Sequence, residues 1–173
     1  KRQGMARMFG HRQGVETVHR ITEAAAELGI EYLTLYAFST ENWNRPKEEV
    51  DALMSLLVDT IAKETPTLMK NNVRLSTIGD LARLPENAQQ KFRACMEETG
   101  KNTGLNLVIA LSYSARWEMI QATRNIALAV QQGTMLVEDI NEELISASLT
   151  TAQMPDPDLL IRTSGELRIS NFL

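Results

Sequence analysis

Apolar positions along the chain switch between two periods. Val15, Val18, Ile21, Ala25 and Leu28 recur every three to four residues, which predicts an amphipathic helix stopped by Gly29. From Ile30 to Phe38 (IEYLTLYAF) nearly every position is apolar, and many are β-branched or aromatic. That predicts a strand covered on both faces, as in a parallel sheet. The polar run Ser39 to Arg45 (STENWNR) reads as a loop, and Pro46 suits the first turn of a following helix. The core face of that helix is Val50, Leu53, Met54, Leu57 and Ile61, and Pro66 predicts a kink or break in it. Val73 to Gly79 is a second strand, and Pro85 to Thr99 a short helix with Phe92, Cys95 and Met96 on one side. Leu105 to Ser112 (LNLVIALS) is a third strand, and Ala115 to Gln132 a helix closed by Gly133. Asp139 and Glu142 have the spacing of a capping box before a short helix ending near Leu149. Asp158 to Arg162 (DLLIR) reads as a fourth strand. Strands alternating with helices predict an α/β fold, a mostly parallel central sheet flanked by helices through right-handed crossovers.

Composition narrows the class. With 173 residues, 43% hydrophobic and 23% charged, the chain predicts one globular domain over 1–173 with a core of its own. Eighteen Lys and Arg against 22 Asp and Glu give a net charge of −4, which argues against a nucleic-acid binder. The single cysteine, Cys95, excludes an internal disulfide and a CxxC zinc site. His11 and His19 are too few for a histidine-rich metal site. No run of roughly 18 apolar residues occurs and no signal peptide is visible, so the expected setting is cytoplasmic. The chain begins at Lys1 without a methionine and stops at Phe172-Leu173, directly after a polar loop. The expectation is that residues are missing at both ends.

In open parallel sheets, ligands bind beyond the carboxyl ends of the strands. STENWNR, SYSARW and TSGELRIS all fall at such ends. The first packs hydroxyls, a carboxylate, two amides, an indole and a guanidinium into seven residues; the bland alternative is a surface turn with Trp43 packed on a neighbouring helix. The segment Arg162 to Ser170 carries two arginines, three hydroxyls and a glycine, a set suited to an oxyanion. Its bland alternative is a solvated loop in which Glu166 pairs with an arginine. Lys1, Arg2, Arg7, His11 and Arg12 form a dense basic cluster, with Arg7 and His11 on one helix face; taken alone, that cluster is better explained as a solvated helix start. Tyr113 and Trp117 read as core or cleft wall, His19 as exposed, and Cys95 as buried and inert. No P-loop or GxGxxG is present.

Together these clusters resemble the cis-prenyltransferase family, in its bacterial undecaprenyl diphosphate synthase branch. The resemblance rests on RxxGHxxG (Arg7, Gly10, His11, Gly14), LTLYAFSTENWNRP (Leu33 to Pro46), NVRLSTIGD (Asn72 to Asp80) and IRTSGELRISNFL (Ile161 to Leu173). It spans the whole chain without a gap. It implies an enzyme that adds isopentenyl diphosphate units to farnesyl diphosphate with cis double bonds, using Mg2+, to make undecaprenyl diphosphate, the lipid carrier precursor for cell-wall polysaccharide. It also implies a hydrophobic tunnel for the growing chain, a homodimer, and product delivery to the membrane from the cytoplasmic side. The DDxxD motif of trans-prenyltransferases does not occur.

The resemblance carries roles to particular residues. Arg7 and His11 match positions that bind substrate diphosphate. Ser39, Thr40, Glu41, Trp43 and Arg45 match the substrate loop. Asn42 matches the position proposed as proton acceptor; because an amide is a poor base, it suits the orienting of a water or a diphosphate. Arg162, Arg168, Ile169 and Ser170 match the isopentenyl diphosphate site. Ala37, Leu53, Leu56, Leu57, Val73 and Leu105 match the tunnel. The family's DGNGRWA motif, with its magnesium-binding aspartate, would precede Lys1, and a metal-site glutamate would follow Leu173, so residues 1–173 alone are expected to be inactive. SYSARW stands where the family commonly has NYGGRW, and the bulk of Ser114 and Ala115 is expected to bear on substrate contacts. The alternative is a non-catalytic scaffold subunit of the same fold, against which the retention of Asn42, Arg45, Arg162 and Arg168 argues. A generic phosphate-binding α/β regulator would explain neither the Trp43 loop nor the full-length match.

Overall fold

The computed structural model describes residues 7–163 and 165–173, with the side chains of residues 7–13 outside the description. In chain order the elements are α1 (Arg7–Glu27), β1 (Tyr32–Ser39), α2 (Lys47–Lys70), β2 (Arg74–Ile78), α3 (Glu86–Thr99), β3 (Asn106–Tyr113), α4 (Ala115–Gln131) and α5 (Glu142–Ala147). Short 3-10 turns cover Thr40–Asn44, Leu81–Arg83 and Val137–Asp139. The strands form a parallel sheet in the order β1-β3-β2, flanked by helices, as the alternating pattern predicts.

The central place belongs to β3, all eight of whose residues are buried. This corrects the reading of β1 as a strand covered on both faces. β1 lies at an edge of the described sheet and is mostly half-buried, with only Phe38 fully enclosed. Apolar content marks a strand, but the pairing order decides which strand has two neighbours.

The chain divides into two compact units. The first comprises Lys1–Leu35, Arg45–Thr77 and Leu84–Ile109; the second comprises Tyr36–Asn44, Ile78–Arg83 and Ala110–Leu173. In the first unit α2 packs against α3. Val50, Met54, Ile61 and Leu68 of α2 are buried, as are Phe92 and Cys95 of α3. Burying a side chain of this size contributes about 1.5–3 kcal/mol. Most buried polar groups here are paired, since an unpaired one costs its lost contact with water; the Thr22 hydroxyl is buried without a partner. The Thr99 hydroxyl donates to the Cys95 carbonyl at 2.7 Å and accepts the Leu75 N–H at 3.1 Å. The Asn102 amide donates to the Val73 carbonyl at 2.7 Å.

Three expectations in this unit need correction. α2 runs through Pro66 without a break; the ring removes one N–H donor, and the surrounding turns carry the helix past it. Among the described side chains of α1 the buried ones are Thr22 and Ala25, while Val18, Ile21 and, just past its end, Leu28 are exposed. Periodicity says which residues share a face, but the neighbours decide which face is covered. His19, expected to be exposed, is part-buried: Nδ1 lies 2.9 Å from Glu64 and Nε2 lies 3.3 Å from Glu23.

In the second unit Phe38, Ile78, Leu111, Tyr113, Ala122 and Ile126 are buried. Residues 158–162 do not form the expected fourth strand; they have no regular structure, and Leu159, Leu160 and Ile161 are exposed. Pro155 and Pro157 just upstream lack N–H donors, and the run finds no ladder partner among the described residues. The expected Asp139–Glu142 capping box is also absent. Asn141 caps α5, its Oδ1 accepting the Leu144 N–H at 2.8 Å. Asp139 instead closes the preceding turn by accepting the Leu136 N–H at 2.9 Å. Both residues are good acceptors, and the one next to the first helical residue has the cap geometry.

Candidate active site

A cavity of about 600 Å3 opens within the second unit. Tyr36, Ala37 and Ser39 line it from the end of β1, and Glu41 and Asn42 from the turn that follows. Arg116 enters from the first turn of α4, and Arg162, Ser170 and Asn171 from the C-terminal segment.

The turn has local reasons for its shape. Asn42 Oδ1 accepts the Ser39 N–H at 3.1 Å, a side chain closing its own turn. Thr40 donates to Ser114 Oγ at 2.9 Å. The Trp43 indole is turned inward, its Nε1 donating to Ser112 Oγ at 2.9 Å. Its ring meets Phe38 edge-on at 4.9 Å and carries the Arg83 guanidinium at 4.9 Å on its face. Gly79, just before the Arg83 turn, lets the chain leaving β2 pass close against β3. Its φ is +108°, and a Cβ there would lie 2.1 Å from the Leu111 carbonyl oxygen. The Trp43 contacts therefore shape the turn from behind, and Trp43 does not line the cavity. Packing is real here, as the bland reading held, but against a strand and an arginine.

Ser114 is the N-cap of α4, its Oγ accepting the Trp117 N–H at 3.3 Å. It is 2% exposed, and neither it nor Ala115 lines the cavity. The hydroxyl that replaces the family's usual glycine is spent on the helix and on Thr40.

Asn171 joins the segments. It accepts the Ala115 N–H through its carbonyl at 2.9 Å and the Arg116 N–H through Oδ1 at 3.0 Å, and donates to Glu41 Oε1 at 2.9 Å. Arg162 Nη1 donates to Ser170 Oγ at 3.0 Å. Beneath the cavity, Phe172 stacks on Tyr36 at 4.5 Å, and Tyr113 meets both rings edge-on. Tyr113 donates to the buried Glu118 at 2.6 Å, and Glu118 also accepts the Thr150 N–H at 2.7 Å.

The charge states follow. The amide of Asn171 holds the Glu41 carboxyl below the usual carboxylate range. Burial, with the Glu41 charge nearby, pushes Tyr36 up to about 12. Burial and the hydrogen bond to Glu118 push Tyr113 well up. Near neutral pH the tyrosines are neutral donors, and the lining carries two guanidinium groups and one carboxylate. Two planar cations with hydroxyl and amide donors suit a phosphate or diphosphate.

Of the residues singled out by sequence, Ala37, Ser39, Glu41, Asn42, Arg162 and Ser170 line the cavity, while Thr40 and Trp43 brace the turn. Arg168 is exposed and pairs with Glu166, and Ile169 is exposed; neither lines the cavity. Arg45 belongs to the first unit, where it pairs with Glu49 at 2.9 Å. Leu53, Leu56 and Leu57 are half-buried there, and Val73 and Leu105 are buried. Arg7 and His11 stand four apart on α1, with side chains outside the described residues, as are Lys1 and Arg2. Sequence reasoning assigned no role to Tyr36, Arg116, Asn171 or Glu118. Arg116 and Asn171 did lie inside motifs at strand ends, which was the available signal.

A family profile described as "Putative undecaprenyl diphosphate synthase" matches residues 1–173. The chain belongs to this prenyltransferase family. It is 54% identical over all 173 residues to an isoprenyl transferase of Porphyromonas gingivalis, covering 68% of that protein. It is 51% identical to an isoprenyl transferase of Chlorobaculum tepidum, over its whole length and 65% of the relative. A ditrans,polycis-undecaprenyl-diphosphate synthase, farnesyl-diphosphate specific, from Vibrio parahaemolyticus is 47% identical over the whole chain and 69% of its own length. The chain thus spans about two thirds of the curated relatives it matches. Among solved structures, a probable undecaprenyl diphosphate synthase from Campylobacter jejuni superposes with a TM-score of 0.79 at 38% identity, over 93% of this chain and 73% of that one. Lavandulyl diphosphate synthase from Lavandula x intermedia, in complex with dimethylallyl diphosphate, superposes with 0.94 at 36% identity, over 98% and 74%. The assignment to the cis-prenyltransferases holds. The family supports an enzyme of isoprenoid biosynthesis over a scaffold subunit.

Proposed function

We propose that the whole protein condenses isopentenyl diphosphate units onto farnesyl diphosphate with cis double bonds, ending at undecaprenyl diphosphate for cell-wall synthesis. The observation that carries this reading is the pairing of Arg116 and Arg162 across one cavity with Ser39, Asn42 and Ser170. Each condensation forms a carbon–carbon bond, breaks the allylic carbon–oxygen bond, and releases diphosphate and a proton. In our reading the arginines and hydroxyls hold the isopentenyl diphosphate headgroup. Asn42 does not take the proton: its amide is not basic, and its oxygen already accepts the Ser39 N–H. Its remaining donors orient a diphosphate oxygen or a water, and that group accepts the proton. Arg7 and His11 are assigned to the allylic diphosphate, and Ala37, Leu53, Leu56, Leu57, Val73 and Leu105 to a tunnel that keeps water from the allylic cation.

Magnesium is part of the proposal, since it neutralises a leaving diphosphate. Magnesium sites combine one or two carboxylates with substrate phosphates. Among the described residues no group of three His, Cys, Asp or Glu side chains is arranged to hold a metal ion, and Glu41, the carboxylate at the cavity, is already engaged by Asn171. These residues do not fit a metal site by themselves, and no step is derived through the ion. A homodimer, a cytoplasmic setting and delivery of product to the inner membrane face complete the reading. Among the described residues no helix is long and apolar enough to cross a membrane.

The test uses the full-length protein with radiolabelled isopentenyl diphosphate. Charged hydrogen bonds of this kind contribute about 1.5–3 kcal/mol each, so Arg162→Ala is expected to raise the KM for isopentenyl diphosphate about ten- to a hundredfold. An unchanged KM in both Arg162→Ala and Arg116→Ala would overturn the assignment of the cavity.

A further inference from the structure

Asn171 stands in the left-handed region at φ +62°, next to Ser170 at φ +57°. Asparagine tolerates that region better than most residues with a side chain. From this conformation it reaches three partners: the Ala115 and Arg116 N–H groups of α4 and the carboxylate of Glu41. Its neighbours extend the junction, since Ser170 accepts from the Arg162 guanidinium and Phe172 stacks on Tyr36. Both cationic residues of the cavity are thus tied to the strip 170–171, Arg116 by its backbone and Arg162 by its side chain. The first N–H groups of α4 are all used inside the protein, those of Ala115 and Arg116 by Asn171 and that of Trp117 by Ser114. The free positive charge of the cavity therefore comes from the two guanidinium groups, and their placement depends on this junction.

We propose that Asn171 is a positioning residue for the diphosphate site, docking the 162–172 segment onto the Glu41 turn and the start of α4 so that Arg116 and Arg162 face one cavity. This rests on the function proposed above.

Polarity reversal in the full-length protein tests it. Asn171→Asp keeps the acceptor for the Arg116 N–H but replaces the donor with an oxygen facing Glu41. Adding Glu41→Gln supplies an amide donor to that oxygen and restores the bond in the opposite sense. Binding of inorganic diphosphate and of isopentenyl diphosphate is measured by calorimetry, with the melting temperature of each variant. Asn171→Asp is expected to weaken binding of both probes about tenfold or more, as loss of a charged hydrogen bond does. The double variant is expected to recover most of that loss. Asn171→Gly, which keeps the left-handed backbone without strain, is expected to lose affinity while remaining folded. Unchanged affinity in Asn171→Gly, or a double variant no tighter than Asn171→Asp alone, overturns the proposal. If the wild type binds inorganic diphosphate but not isopentenyl diphosphate, the function proposed above fails, and the clamp is still judged by the rescue on the first probe. If it binds neither, both fail.

Discussion

Trp43 shows what a side chain of the substrate-loop motif does for the turn that carries it. Its indole has a hydrogen bond, an edge contact and a cation on its face, all to residues that do not line the cavity. Trp43→Phe keeps the ring but strands the Ser112 hydroxyl, which is fully buried. The expected cost is about 1–2 kcal/mol, read as a lower urea midpoint, with a raised KM for isopentenyl diphosphate as the turn loosens. A larger loss is expected at Glu118. Glu118→Ala leaves the Tyr113 hydroxyl and the Thr150 N–H without their buried acceptor, a change of about 3 kcal/mol or more on chemical denaturation. The polar turn was legible because Ser39, Glu41, Asn42 and Arg45 are adjacent in the chain. Asn171 was not, because it works through backbone N–H groups 55 and 56 residues away, and no spacing rule encodes such a pair.

At the scale of elements, helices and strands with strong periodicity were legible and their surroundings were not. β3 and α4 fall where the apolar pattern puts them, while the covered face of α1 and the fate of residues 158–162 depended on neighbours. α1 meets α2 partly through His19 and Glu64. The hydrogen bond to Glu64, with the charges of Glu64, Glu23 and Glu16, raises the His19 pKa above its ordinary value despite an opposing contribution from burial. A folded pKa above the unfolded one means that the contribution to stability is full below about pH 6.5 and is lost as pH rises through the folded value. Proton NMR is expected to find His19 titrating above about 6.5 in the wild type and closer to that value in Glu64→Gln. Equal values in the two proteins would remove this link between the helices.

For the whole molecule, the proposed tunnel makes a claim that packing alone does not. Leu105 is 3% exposed, so Leu105→Ala is expected to cost about 2–5 kcal/mol whatever its role. If it also closes the tunnel, products lengthen by one or more five-carbon units. Ala37 lines the cavity, and Ala37→Leu is expected to narrow it and accumulate short intermediates. Thin-layer and mass analysis of products from the full-length protein decide the matter: a wild-type length distribution from both variants would make these residues plain core. The motifs at the strand ends identified the family because they are dense in unusual residue types. A channel wall is built of the same aliphatic side chains as any interior, so the sequence pattern could not distinguish one from the other.

The saturated first turn of α4 has a bearing on inhibitor chemistry. Many anion sites reward a compact, roughly spherical head that settles on exposed amides at a helix start. Here those amides already have acceptors in Asn171 and Ser114. Affinity in this cavity therefore rewards acids whose paired oxygens span both guanidinium forks, whether diphosphates or dicarboxylates on a rigid frame, over a single compact anion of equal charge.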